Sequence, residues 1–166
     1  MSYLESRDAK RIVPNVFIRT NSALDDRRVK KYIRNIDFSM LIYKLSVPDA
    51  NISRVWDVEA AEIAVGYYRN FLWLMRKYGH AHVLAPSTEI DEIWHHHILD
   101  TYKYHEDCNA IFGAYLHHYP YFGMRGDEDL GDLRNSFATT QSLHFQEFGS
   151  YIMGFEEETV ELSSVD

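Results

Sequence analysis

The segment that most limits the fold is RVWDVEAAEIAVGYYRNFLWLMRKYG, Arg54 to Gly79. Trp56, Ala60, Ile63, Tyr67, Leu74 and Tyr78 fall on one helical stripe, and Gly79 is placed just past its end. This predicts the longest helix of the chain. No stretch alternates apolar and polar residues for long enough to argue a strand, and no internal repeat is present. The expected class is therefore all-α.

The remaining segments read the same way. In SALDDRRVKKYIRNIDFSMLIYKLSVP, Ser22 stands three residues before Asp25 in an arrangement resembling a capping box, and Ile33, Ile36, Leu41 and Leu45 are helically spaced. One or two helices fit before Pro48. Pro86 opens a further helix with Ser87 or Thr88 as its cap, and the pattern runs on past Cys108 until Pro120. A last helix places Leu130, Leu133, Phe137, Thr140, His144 and Phe148 on one face and closes at Gly149. These elements predict one compact bundle of about five to seven helices. It is expected to span residues 1–155, followed by a loose acidic tail over 156–166.

Composition excludes several classes. With 25 acidic against 17 basic side chains the net charge is -8, which disfavours attraction to nucleic-acid phosphates. Cys108 is the only cysteine, the polar start MSYLESRDAKR lacks a signal-peptide core, and no apolar run has membrane-spanning length. A cytoplasmic protein without membrane or nucleic-acid partners is expected, its oligomeric state left open. Motifs for phosphate-binding loops, serine hydrolases, His-Glu-x-x-His zinc proteases and paired cysteines are all missing.

Chemistry concentrates in PSTEIDEIWHHHILDTYKYHEDC, Pro86 to Cys108. At about 100° per residue, Ile90, Trp94, His97, Thr101, Tyr104 and Cys108 share one side, so His97 points into the core. His96 falls among Glu92, Asp100, Lys103 and Asp107 on an arc that faces water. His95 lies about one turn after Asp91 at the edge of the apolar face. In the following segment His118 turns inward and His117 outward. Two imidazoles and a carboxylate suit a transition metal and leave positions open on a ferrous ion, with zinc or copper as alternatives. The candidate ligands are Asp91, His95 and His118, with His97 as a further one.

Plainer roles compete. Asp91 sits in a first helical turn, where the helix dipole favours any carboxylate, and a core His97 needs only a hydrogen-bond partner. Glu92 to His95 has the Glu-x-x-His spacing of di-iron bundles, but no second copy exists. His80 and His82 belong to a connection and face water, whereas His144 reads as a satisfied core histidine. Tyr102, Tyr104, Tyr115, Tyr119 and Tyr121 either pack together or line a pocket.

Pro86, Ser87, Asp91, Trp94, His95, His97, Leu99, Asp100, Tyr104 and Cys108, then Gly113, His117, His118 and Pro120, resemble bacterial single-domain members of the glycine-rich domain-containing protein-like family. Weaker similarity extends from Asp37 to Gly149. The resemblance implies roles for His95, His97, His117 and His118 but not His96, and it implies no reaction. His95 and His97 stand about 200° apart on a regular helix, so one binds an ion while the other supports it. The expected function is a mononuclear metalloenzyme acting on a small molecule or a peptide side chain. The alternative is a helical interaction module with structural histidines.

Overall fold

The structure, a computed structural model, describes residues 21–48 and 55–154. The expected acidic tail and the polar start lie outside the described residues. Six helices are present among the described residues, with no strand: α1 (Asp26–Asn35), α2 (Ser39–Ser46), α3 (Val58–Tyr78), α4 (Thr88–Leu99), α5 (Thr101–Phe112) and α6 (Asp127–Phe148). The fold is all-α, as the patterning predicts. None of these helices is long and apolar enough to cross a membrane.

The central element is α3, which packs against α1, α2, α4 and α6. Asp57 caps its start by accepting from the Glu59 and Ala60 amides. Its buried stripe runs through Ala61, Ala64, Val65, Tyr68, Phe71, Leu72 and Met75, about one position away from the stripe read in the sequence. Ile63 is exposed, and Trp56 is buried ahead of the helix rather than on it. Trp73 and Leu74 are buried as well, because four neighbouring helices cover more than one face of α3. A single-stripe reading underestimates a central helix for that reason.

The expected capping role of Ser22 is also corrected. Asp25 caps α1 by accepting from the Arg28 amide, while Ser22 serves the far end of α5. There Ser22 Oγ donates to the Ala110 carbonyl, the Asn21 amide to the Phe112 carbonyl and Arg76 Nη1 to the Ile111 carbonyl. Three carbonyls left free by the end of the helix thereby find donors. The close approach needs Gly113, which has φ +69° and whose position for a Cβ lies 2.2 Å from the Asn21 carbonyl carbon. Gly149, with φ +75°, closes α6 in open space.

On α6, Thr140 and His144 are buried, but Leu130, Leu133 and Phe137 are only half-buried and Phe148 is exposed. Glu147 docks this helix on α3, accepting from Trp73 Nε1 at 2.9 Å, from Tyr78 at 2.7 Å and from Lys77 at 2.5 Å. Burial opposes ionisation of Glu147, yet these donors outweigh it and hold the carboxyl down at about 2.

Two outcomes are expected. Gly113→Ala and Gly149→Ala both place a side chain at positive φ, costing about 1–2 kcal/mol, but Gly113→Ala also drives a methyl into backbone and loses roughly 3 kcal/mol or more. Urea denaturation of the pair separates strain from collision, and equal losses would refute the collision. Because the folded pKa of Glu147 lies below its ordinary 4.5, its stabilisation is complete above about pH 4.5 and disappears as pH falls toward about 2. Stability curves of Glu147→Gln should be flatter than wild type across that window.

Candidate metal centre

Ser87 caps α4 by accepting from the Ile90 amide, which places Asp91 in the first turn and His95 one turn later on the same strip. The helix does not run on to Pro120. It breaks at Asp100, whose φ of -81° and ψ of 73° end α4, and whose carboxylate accepts from the Lys103 amide to start α5. Thr101, expected on the apolar side, is exposed as a result, while Ile90, Trp94, His97, Tyr104 and Cys108 are buried. After Gly113 the chain leaves helical geometry and returns along α4, carrying His118 on a segment without regular secondary structure.

The returning segment is held from inside. Tyr104 donates to the Leu116 carbonyl at 2.5 Å and accepts from Trp94 Nε1 at 2.9 Å. Leu116 is buried, and the Trp94 ring meets the His118 ring edge-on with centroids 4.5 Å apart. His118 Nε2 then lies 2.7 Å from Asp91 Oδ1, and His95 Nε2 lies 3.4 Å from Asp91 Oδ2. The two imidazole rings are 4.6 Å apart between centroids. One donor atom from each of Asp91, His95 and His118 falls within 4.8 Å of the others. The His118 side chain is 12% exposed and that of His95 48%, so the cluster has a buried wall and an open side.

The structure does not bring His97 to this cluster. It is buried on the other side of α4, with Tyr68 Oη 2.9 Å from Nδ1 and Asp107 Oδ2 2.9 Å from Nε2. An ionised Asp107 assigns the proton to Nε2, leaving Nδ1 to accept from Tyr68. Tyr32 donates to Asp107 Oδ1 at 2.6 Å, and Lys103 pairs with Oδ2 at 3.2 Å. Burial alone would push the Asp107 carboxyl up, but the hydrogen bonds from His97 and Tyr32, with Lys103 beside them, hold it below the ordinary range. The partners of His97 are thus side chains. Asp107, Tyr68 and Tyr32 escaped the sequence reading because Asp107 was assigned to a solvated arc of one continuous helix.

His96 is likewise corrected. It is half-buried, its Nδ1 makes no hydrogen bond among the described residues, and burial together with nearby Lys44 lowers its pKa. α2 packs against α4, with Lys44 near His96, on the side that the wheel left to water. His117 is exposed beside Tyr115, and His80 and His82 are exposed. His144 is a core histidine, with Nδ1 at the Ser150 carbonyl and Nε2 at Asn70. Glu92 turns away to accept from Trp56 Nε1. Burial pushes the Cys108 thiol up, which makes it a poor nucleophile.

A cavity of about 210 Å³ opens beside Asp91 and His118. Of the tyrosines considered as pocket lining, Tyr119 lines it, Tyr104 is buried beneath and Tyr102 and Tyr121 are exposed. The loop carrying Tyr119 is fixed by Asp129, which accepts from the Gly123 and Arg125 amides and from Arg125 Nη2. This clamp too was unseen in the sequence.

In comparison with known proteins, a family model described as UCP032817-like matches residues 28–141. No curated protein and no solved structure matches. The resemblance to the glycine-rich domain-containing protein-like family is corrected accordingly, since nothing indicates that family. Many residues behind it, among them Trp94, His97, Tyr104 and Cys108, are buried packing positions, which helix packing constrains whatever the family. The Trp-His-x-His group takes no functional role from it.

His97→Ala should destabilise the protein by roughly 1–3 kcal/mol, because Tyr68 and Asp107 lose a buried partner. The loss should be the same with added metal and with chelator. A loss confined to the metal-loaded protein would place His97 among the ligands instead.

Proposed function

This chain belongs to the UCP032817-like family, and on the site it carries we propose that it is a metal-binding helical protein whose Asp91, His95 and His118 hold one first-row transition ion. The observation that carries the reading is the convergence of three donor atoms from α4 and the returning segment, two from imidazoles and one from a carboxylate. That donor set suits ferrous iron and leaves coordination positions open, with zinc or copper as alternatives. The half-open setting and the adjoining cavity support a mononuclear metalloenzyme acting on a small molecule or a peptide side chain. A cytoplasmic setting and a single domain over residues 1–155 belong to the same proposal.

The runner-up is a non-catalytic interaction module with structural histidines, favoured by His97 and His144, each of which has both ring nitrogens engaged. The Asp91 cluster differs from these, because it faces solvent and sits beside a cavity. Asp91 also engages both imidazoles by hydrogen bonding and ion pairing, an arrangement that stands without an ion.

Elemental analysis of protein purified without chelator decides between the two readings. Close to one equivalent of a first-row metal is expected. His95→Ala and His118→Ala should each lower occupancy strongly, with His96→Ala near wild type and circular dichroism unchanged throughout. Metal far below one equivalent, not restored by iron, zinc, copper or manganese, would leave the interaction module standing.

A further inference from the structure

We propose that the cavity beside Asp91 and His118 is a substrate pocket for a small, largely apolar molecule, about the size of one ring with a short substituent, that presents one oxygen-donor group such as a single carboxylate toward the metal. The inference rests on the metal reading and adds the class of ligand to it.

Size sets the first limit. The cavity measures about 210 Å³, below the roughly 300–1,000 Å³ of pockets for drug-sized ligands and above the roughly 150 Å³ that accommodates benzene. Its walls set the second. Leu84, Ala85, Trp94, Tyr119, Phe122 and Leu133 supply apolar and aromatic surface, Ser87 and Thr88 add hydroxyls, and no lysine or arginine lines it. Asp91 is its one charged side chain, and both carboxylate oxygens already face imidazoles. A second charge on the ligand would be buried against these walls without a partner, which is unfavourable.

The larger cavity of about 530 Å³ on the other side of α4 makes the contrast. It is lined by Lys44, Lys103, Asp37 and Asp100, so charged recognition is available on this protein but not beside the cluster. Orientation follows from position. Asp91 and His118 line the smaller pocket together with Trp94 and Leu133, so a ligand whose donor atom meets the metal rests its apolar body against those side chains. The walls are also held in place. Trp94 is tied to Tyr104, the loop bearing Tyr119 and Phe122 is clamped by Asp129, and Leu133 sits where a Cβ on Gly123 would lie 2.6 Å from its Cδ2.

The test uses cobalt(II)-loaded protein titrated with benzoate, acetate and terephthalate, read by the visible cobalt spectrum and by saturation-transfer NMR. Benzoate should bind at least about tenfold more tightly than acetate, which has the donor without the ring, and than terephthalate, which adds a charge at the far end. Leu133→Trp fills the cavity and should weaken benzoate by about tenfold with cobalt content unchanged. If that variant does not fold by circular dichroism, Phe122→Ala replaces it and should weaken benzoate by about fivefold. Equal affinity for benzoate and acetate, terephthalate as tight as benzoate, or indifference to the folded variant would overturn the proposal. Failure to hold cobalt counts against the metal reading instead, and the pocket is then judged by toluene binding to the metal-free protein. Saturable toluene binding that the same variant abolishes supports the pocket, and its absence overturns it.

Discussion

The hydroxyl of Tyr104 joins the three parts of the chain on which the site depends. Tyr104 belongs to α5, the indole it accepts from belongs to α4, and the carbonyl it donates to belongs to the segment that returns along α4. All three groups are buried in Trp94, Tyr104 and Leu116, so leaving any one unpaired carries a desolvation cost. Two residues beyond Leu116 comes His118. With the Leu116 carbonyl fixed and the Trp94 ring behind it, the His118 imidazole reaches Asp91 from outside the helix that supplies the other two side chains. A non-helical segment has no helical hydrogen bonds of its own, so its position is set by such tertiary ties.

The two faces of α4 illustrate how burial separates structural from reactive histidines. His97 and Asp107 lie in the core, where their mutual hydrogen bond, the two tyrosines and Lys103 leave little capacity unused. A network so fully satisfied favours one arrangement of the surrounding helices. Opposite it, Asp91 and His95 remain partly open to solvent, and the rotation of about 100° per residue along a helix is what sends His95 and His97 to different environments. Imidazoles near the surface can exchange a hydrogen bond for a metal without uncovering the core.

Rigidity around the site comes from polar contacts at its margins. Asn21, Ser22 and Arg76 close the end of α5, Asp129 holds the loop over the cavity, and Glu147 fastens α6 to α3. Each satisfies backbone or side-chain groups that a compact bundle would otherwise bury unpaired. The apolar contacts beneath them are non-directional, so such hydrogen bonds define which loop lies where.

By itself, the sequence determined the helical class, the approximate helices and the opposed directions of His95 and His97. These follow from local periodicity, which every helix obeys regardless of its neighbours. Ser87 as a cap and Gly149 as a terminator were legible for the same reason. The stripe of α3 was displaced, and His96 was left to water, because burial depends on which helices arrive to cover a face. Only the tertiary structure decided that α4 and α5 part at Asp100, that Ser22 caps a helix 88 residues away and that His118 meets Asp91. Such contacts join residues distant along the chain, and no local pattern records them. They are fixed instead by the shared need of buried polar groups for partners once the helices have packed.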